Sequence, residues 1–175
     1  MQTNALPKYD ARDNPTGCCP RFDPAGWDGQ DLNFADKPFI TARTKSVAHV
    51  PLDMAKAFRD TFAAIERAKA RDPDDFLVLS RDRSAWSAEH LFAVARDVPG
   101  YPLVRLSGDY RTAVFEGPFK RVPQWAREVE LRAHTRGKTI EDLYFFYTTC
   151  PKCAKAYGKN YEVAVSKERD AAPQQ

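Results

Sequence analysis

No apolar run in this 175-residue sequence approaches the roughly 20 residues that a membrane-crossing helix needs. A spanning segment and a membrane partner are therefore not expected. The first residues, from Met1 to Lys8, lack the apolar core of a secretory signal, so the expected compartment is the cytoplasm. Excess charge of one sign is also missing. The formal net charge is +3, and lysines and arginines alternate with acids along the chain. No basic stripe points to a nucleic-acid partner. There is no Ser-His-Asp array, no phosphate-cradling Gly-rich loop and no dinucleotide fingerprint. Histidine is scarce: His49, His90 and His134 are the only three, and none has ligand-like spacing. His90 reads as an ordinary core or edge residue.

What is present is a globular composition, with 43% hydrophobic and 29% charged residues. The length suits one domain with a real core. Residues 1–36 are rich in Pro, Gly and Asp and read as an irregular arm. Its spaced aromatics, Phe22, Trp27 and Phe34, suggest that it packs on the body. Residues 168–175 read as a frayed polar tail.

Between these ends the pattern predicts an α+β fold built as a tandem β-α-β-β repeat. It would have an antiparallel sheet and two helices on one face. The first copy, about 37–98, has strands near 38–50, 76–79 and 89–95. Its helix spans 53–70, with Asp53 as N-cap and Met54, Phe58, Phe62 and Ile65 as an apolar stripe. The second copy, about 101–167, has strands near 103–115, 143–148 and 161–166. Its helix spans 123–136, begins on Pro123 and stops at Gly137.

Strand alternation sorts the side chains into faces. In the last strand Tyr161, Val163 and Val165 are assigned to the helix side, and Glu162 and Ala164 to the other. In the first copy His90, Phe92 and Val94 form the core set, and Glu89 faces opposite. Each copy would thus place a carboxylate away from its helix, near Trp86, Tyr110 and Tyr147. An acid among aromatic walls suits a flat or cationic small molecule.

The stretch from Leu106 to Phe119 (LSGDYRTAVFEGPF) resembles a signature of the GyrI-like small-molecule-binding superfamily. In that signature a Gly-x-Tyr strand leads into Gly-Pro-aromatic, just before a helix carrying an aromatic residue, here Trp125. The resemblance covers about 37–167. It implies a ligand cleft between the repeats with aromatic walls and an acid. Trp86, Glu89, Tyr110, Tyr147 and Glu162 would bind the ligand. Some members are hydrolases, so Glu162 or Glu116 would serve as general base, with Tyr147 orienting the substrate or donating a proton to it. The usual acid position falls on Asn160 here, and Glu162, two residues on, shares its face.

Four cysteines form two tight clusters, Cys18-Cys19 and Cys150-Pro151-Lys152-Cys153. In a cytoplasmic protein such clusters point to metal or thiol chemistry more than to a disulfide framework. Cys-Pro-x-Cys after a strand suits a zinc knuckle, and Cys18 and Cys19 would complete a structural site if the arm folds back. Adjacent cysteines tend to diverge, so a three-cysteine site completed by His, Asp or water is an open alternative. A redox pair at Cys150 and Cys153, or inert burial, are the other readings. Function accordingly has three readings. One is a stand-alone GyrI-like protein that binds, and in its hydrolytic form cleaves, a small apolar or electrophilic molecule. The second is a non-enzymatic binding or interaction module with a structural zinc. The third is a thiol-dependent enzyme or redox sensor.

Overall fold

The computed structural model describes residues 2–8, 10–47, 50–72 and 76–171. They form an α+β fold with antiparallel strand pairing and three α-helices. The chain divides into two compact units, Phe34–Ser107 and Met1–Asn33 with Gly108–Gln175. No described helix is long and apolar enough to cross a membrane.

The Phe34–Ser107 unit carries most of β1 (Asp31–Val47), followed by the short β2 (Val50–Pro51) and by α1 (Met54–Arg67). Strands β3 (Val78–Ser84) and β4 (Ser87–Ala93) complete it, and β4 lies between β1 and β3. The apolar stripe of α1 explains its docking. Phe58, Phe62 and Ile65 pack on Ile40, Val78, Phe92 and Val94. Phe58 also meets the His90 ring edge-on at 4.9 Å, so His90, Phe92 and Val94 share the helix face. Asp53 precedes α1 but makes no side-chain cap. Its carboxylate instead accepts the Lys45 N–H at 2.9 Å. Strand β1 begins at Asp31, inside the stretch expected to be irregular. Asp36 takes a left-handed backbone, φ 49°, that breaks the burial alternation begun by Leu32 and Phe34, and burial resumes out of phase at Lys37 and Phe39.

The other unit carries most of β5 (Leu103–Glu116), a 3₁₀ turn (Phe119–Arg121), α2 (Val122–Thr135), β6 (Lys138–Tyr147), α3 (Pro151–Tyr157) and β7 (Tyr161–Asp170). Strand β7 sits between β5 and β6. It continues to Asp170, paired with Lys138, so residues 168–170 are strand and not a frayed tail. Trp125 and Val129 of α2 pack on Ala113, Phe115, Phe145 and Ala164. Trp125 stacks on Phe115 at 5.4 Å.

The helix α3 departs from the two-helix expectation. Cys150 stands at its N-cap position, Pro151 opens its first turn, and Gly158 ends it in the left-handed region. At seven residues it is too short to show an amphipathic period.

The face assignment of the last strand is reversed. Ala164 packs beneath α2, so Glu162, two residues away, lies on that face too. Val163 pairs with Phe146, and Phe146 meets Trp27 and Phe22 of the arm. Tyr161 also meets Phe22. Every residue from Glu162 to Ser166 is buried, so both faces of the last strand are covered and alternation did not tell which one meets α2. Only Glu89 points away from its own helix, and it pairs with Arg81 at 2.9 Å.

The arm runs against β5. Gly29 donates its N–H to the Thr112 carbonyl, Val114 donates to the Asp28 carboxylate, and the Thr112 hydroxyl donates to the Trp27 carbonyl. Trp27 and Phe22 are buried there.

Gly117 links β5 to the 3₁₀ turn with φ 147°, and a Cβ there would lie 3.2 Å from the Trp125 ring. Gly117→Ala is therefore expected to destabilise the fold by about 2 kcal/mol, read as a lower denaturation midpoint at unchanged slope.

Candidate metal centre

The two cysteine clusters meet. The Sγ atoms of Cys18, Cys19, Cys150 and Cys153 all lie within 4.8 Å of one another. Cys18 is 3.7 Å from Cys19 and 4.0 Å from Cys150. A tetrahedral ion with Zn–S bonds of ~2.3 Å needs S···S edges of ~3.8 Å, so these donors fit a zinc-type structural site. The expectation that neighbouring cysteines would diverge is overturned. Gly17 has φ 66°, and the Cys18 N–H donates to the Thr16 hydroxyl, so a tight turn aims both thiols at the same point. On the body side Cys150 and Cys153 stand three residues apart at the start of α3, a spacing that puts both on one side of it.

Polar groups hold the sulfurs in place. The Cys150 N–H donates to Cys19 Sγ at 3.4 Å. The Thr16 hydroxyl lies 3.2 Å from Cys153 Sγ and 3.0 Å from the Tyr157 hydroxyl, which donates to the Cys19 carbonyl at 2.5 Å. Burial raises the Cys18 and Cys19 thiols. Burial opposes ionisation of Cys153 too. Hydrogen bonds from Thr16, the Cys19 backbone and the neighbouring thiols outweigh it and bring Cys153 down to about 7. One thiolate is thus favoured without a cation, because crowded thiolates repel. A divalent ion removes that conflict and would be held by all four.

A second buried group lies on the α2 face of β7. Glu162 is fully buried and stands across from Phe115 on β5 and Tyr147 on β6. Asn160 donates to its Oε1 at 2.9 Å and to the Gly117 carbonyl, and the Thr149 hydroxyl donates to Asn160. Its Oε2 has no hydrogen-bond partner. Burial pushes the carboxyl up to about 9, against the lowering effect of Asn160.

A family model described as a bacterial hydrolase matches residues 9–168. The chain belongs to the bacterial hydrolase family. The match takes in all four cysteines and Glu162. This hydrolase-family chain is also similar to two solved structures. One is a hydrolase from Listeria innocua, 15% identical, with TM-score 0.51 over 81% of this chain and 92% of that one. The other is SAV2435 bound to tetraphenylphosphonium, 13% identical, with TM-score 0.50 over 81% of this chain and 94% of that one. At these identities the likeness is one of fold. No curated protein matches the sequence.

The remaining expected site residues divide between the two units of the chain. Tyr147 adjoins Glu162, as their pairing requires. Glu116 is exposed at the end of β5, four ångströms from Lys159, and belongs by alternation to the opposite face from Phe115 and Glu162. Tyr110 is buried on the arm side of β5, two residues from Thr112. In the other unit Trp86 is exposed at the β3–β4 turn, and Glu89 is held by Arg81. His90 is buried between the Thr44 and Ser80 hydroxyls, and burial lowers it to about 4, so it is a neutral core residue. His134 lies exposed on α2, and His49 lies outside the described residues. The contributions of Thr16 and Tyr157 were not legible in sequence, because neither has a spacing that marks a partner so distant in the chain.

Proposed function

We propose that this protein is a small-molecule-binding member of the bacterial hydrolase family, of GyrI-like type, with its N-terminal arm clasped to the body by one structural zinc ion. The observation that carries this reading is the convergence of four sulfurs from chain segments 131 residues apart (Cys19 and Cys150). Such a set matches a closed structural site, which leaves no position for a substrate. Zinc here would supply a cross-link and no chemistry.

Recognition falls to Glu162. Burial holds its carboxyl in the neutral form, and a cationic ligand placed beside the unpartnered Oε2 would favour the ionised form instead. The fold shared with a tetraphenylphosphonium-bound protein supports testing that cation. Tetraphenylphosphonium titrated into the protein should bind at least about tenfold more weakly to Glu162→Gln. Equal affinity would remove Glu162 from the site.

A hydrolytic reading is favoured by one further observation. A carboxyl raised to about 9 next to Tyr147 holds its proton at neutral pH, which suits it to donate a proton as general acid rather than to act as the general base. Ester hydrolysis lost in Glu162→Gln and retained in Cys150→Ser supports it. The reverse pattern points to thiol chemistry instead.

A further inference from the structure

A half-open groove lies beside the metal centre, lined by Arg21, Phe22, Thr149, Tyr157, Lys159 and Tyr161. It encloses about 180 Å³ and is open to solvent on one side. That is below the roughly 300–1,000 Å³ of drug-sized ligand sites and suits a small, partly exposed molecule of one or two rings. The lining has two cations, three aromatic rings and no carboxylate.

The positions of these walls follow from the clasp. Arg21 and Phe22 come directly after Cys18-Cys19-Pro20, and Thr149 directly precedes Cys150. Tyr157 ends α3, and Cys150 stands at its N-cap position. The Arg21 guanidinium sits 5.1 Å over the Tyr157 ring, and Phe22 and Tyr161 lie 6.0 Å apart. Among the described residues each cation has an acidic neighbour outside the lining. Asp13 is 3.3 Å from Arg21, and Glu116 is 4.0 Å from Lys159. Both pairs are solvent-exposed, and such pairs yield readily to a better-placed anion.

We propose that this groove binds an aromatic carboxylate, with its ring against Phe22 and Tyr161 and its carboxylate between Arg21 and Lys159. Arg matches a carboxylate with two parallel N–H donors, and a ring provides the area that a bare anion lacks. The proposal rests on the clasp reading, because the arm must be docked for Arg21 and Phe22 to face Tyr161. This site is distinct from Glu162, which lies on the other face of β7 and suits the opposite charge.

The test uses metal-loaded protein and 2-naphthoate in titration calorimetry, with acetate and tetraphenylphosphonium as comparisons. Naphthoate should bind at least about tenfold more tightly than acetate. Arg21→Gln and Lys159→Gln should each weaken naphthoate about fivefold or more and leave tetraphenylphosphonium unchanged. Both side chains are exposed, so melting temperature and metal content should stay as in the parent. Naphthoate binding no tighter than acetate, or equally tight in both variants, overturns the proposal. Metal content measured on the same samples separates the two readings. One zinc per chain with no naphthoate binding refutes the groove alone. Naphthoate binding in a chain that takes up no metal refutes the clasp alone.

Discussion

Stripping zinc from the loaded protein with a strong chelator should lower its melting temperature by about 10 °C or more. The ion would join Cys19 to Cys150, closing a loop of more than 100 residues. A cross-link over such a loop is worth about 4–5 kcal/mol in chain entropy, and a domain of this size loses about 2–4 °C per kcal/mol. Without the ion, the arm is held by Phe22, Trp27 and a few hydrogen bonds to β5. Cys153→Ser should act in the same direction, because its thiol is fully buried among the other three. Three readouts agree if the reading holds: about one zinc per chain, a lower melting temperature after chelation, and new proteolysis confined to the first thirty residues. A protein that carries no zinc, takes none up and melts unchanged in chelator sinks the clasp. The affinity should also fall at acid pH, because protons compete for the thiolates.

Glu162→Gln should change the pH dependence of stability. Below about pH 4.5 the carboxyl is protonated in both the folded and unfolded chain, so it contributes no pH dependence. Above that pH the unfolded chain releases the proton, while the folded one keeps it until about pH 9. The folded state then binds more protons, and stability falls as pH rises from about 4.5 to about 9. The limiting slope is about 1.4 kcal/mol per pH unit, so the loss by pH 7 is about 3 kcal/mol. Glutamine keeps an oxygen for the Asn160 donor and cannot ionise. Its amide leaves one buried N–H₂ unpaired, a cost that does not vary with pH. The variant should therefore gain on the parent by about 3 kcal/mol between pH 4.5 and pH 7, measured by denaturant unfolding at several pH values. Zinc loss at low pH affects both proteins and cancels in the difference. Parallel curves would show that the Glu162 carboxyl is ionised in the folded protein.

The two results bear on different parts of one unit. The clasp orders the arm on the face of β7 that carries Val163, and Glu162 lies on the reverse face under α2. Damage to the clasp should leave the Glu162 pH profile in place, because the two sites are separated by the sheet.

The helices and most strands were legible because their patterns are local. Phe58, Phe62 and Ile65 recur at a helical period, and α1 follows from that. Leu143 to Tyr147 has no alternation, so a strand could be placed there without knowing its orientation. Glu162 was put on the wrong face because Tyr161, Val163 and Val165 of the last strand were assigned to the helices, whereas the arm covers that set. Asp36 shifts the phase of β1 midway, so the short alternation of Leu32 and Phe34 could not be joined by pattern to the strand that follows. The seven residues of α3 are too few to show one, although Pro151 and Gly158 marked both ends.

The cysteines mark the same boundary. By itself the sequence determined that four thiols stand in two pairs, and that a metal was a reasonable reading of Cys-Pro-x-Cys. Whether Cys18 and Cys19 could both reach one ion was decided by the turn at Gly17 and by the docking of Phe22 and Trp27. Pattern reports distances along the chain. A tetrahedron of sulfurs depends on distances across it, and those exist only once the arm has folded back against β7.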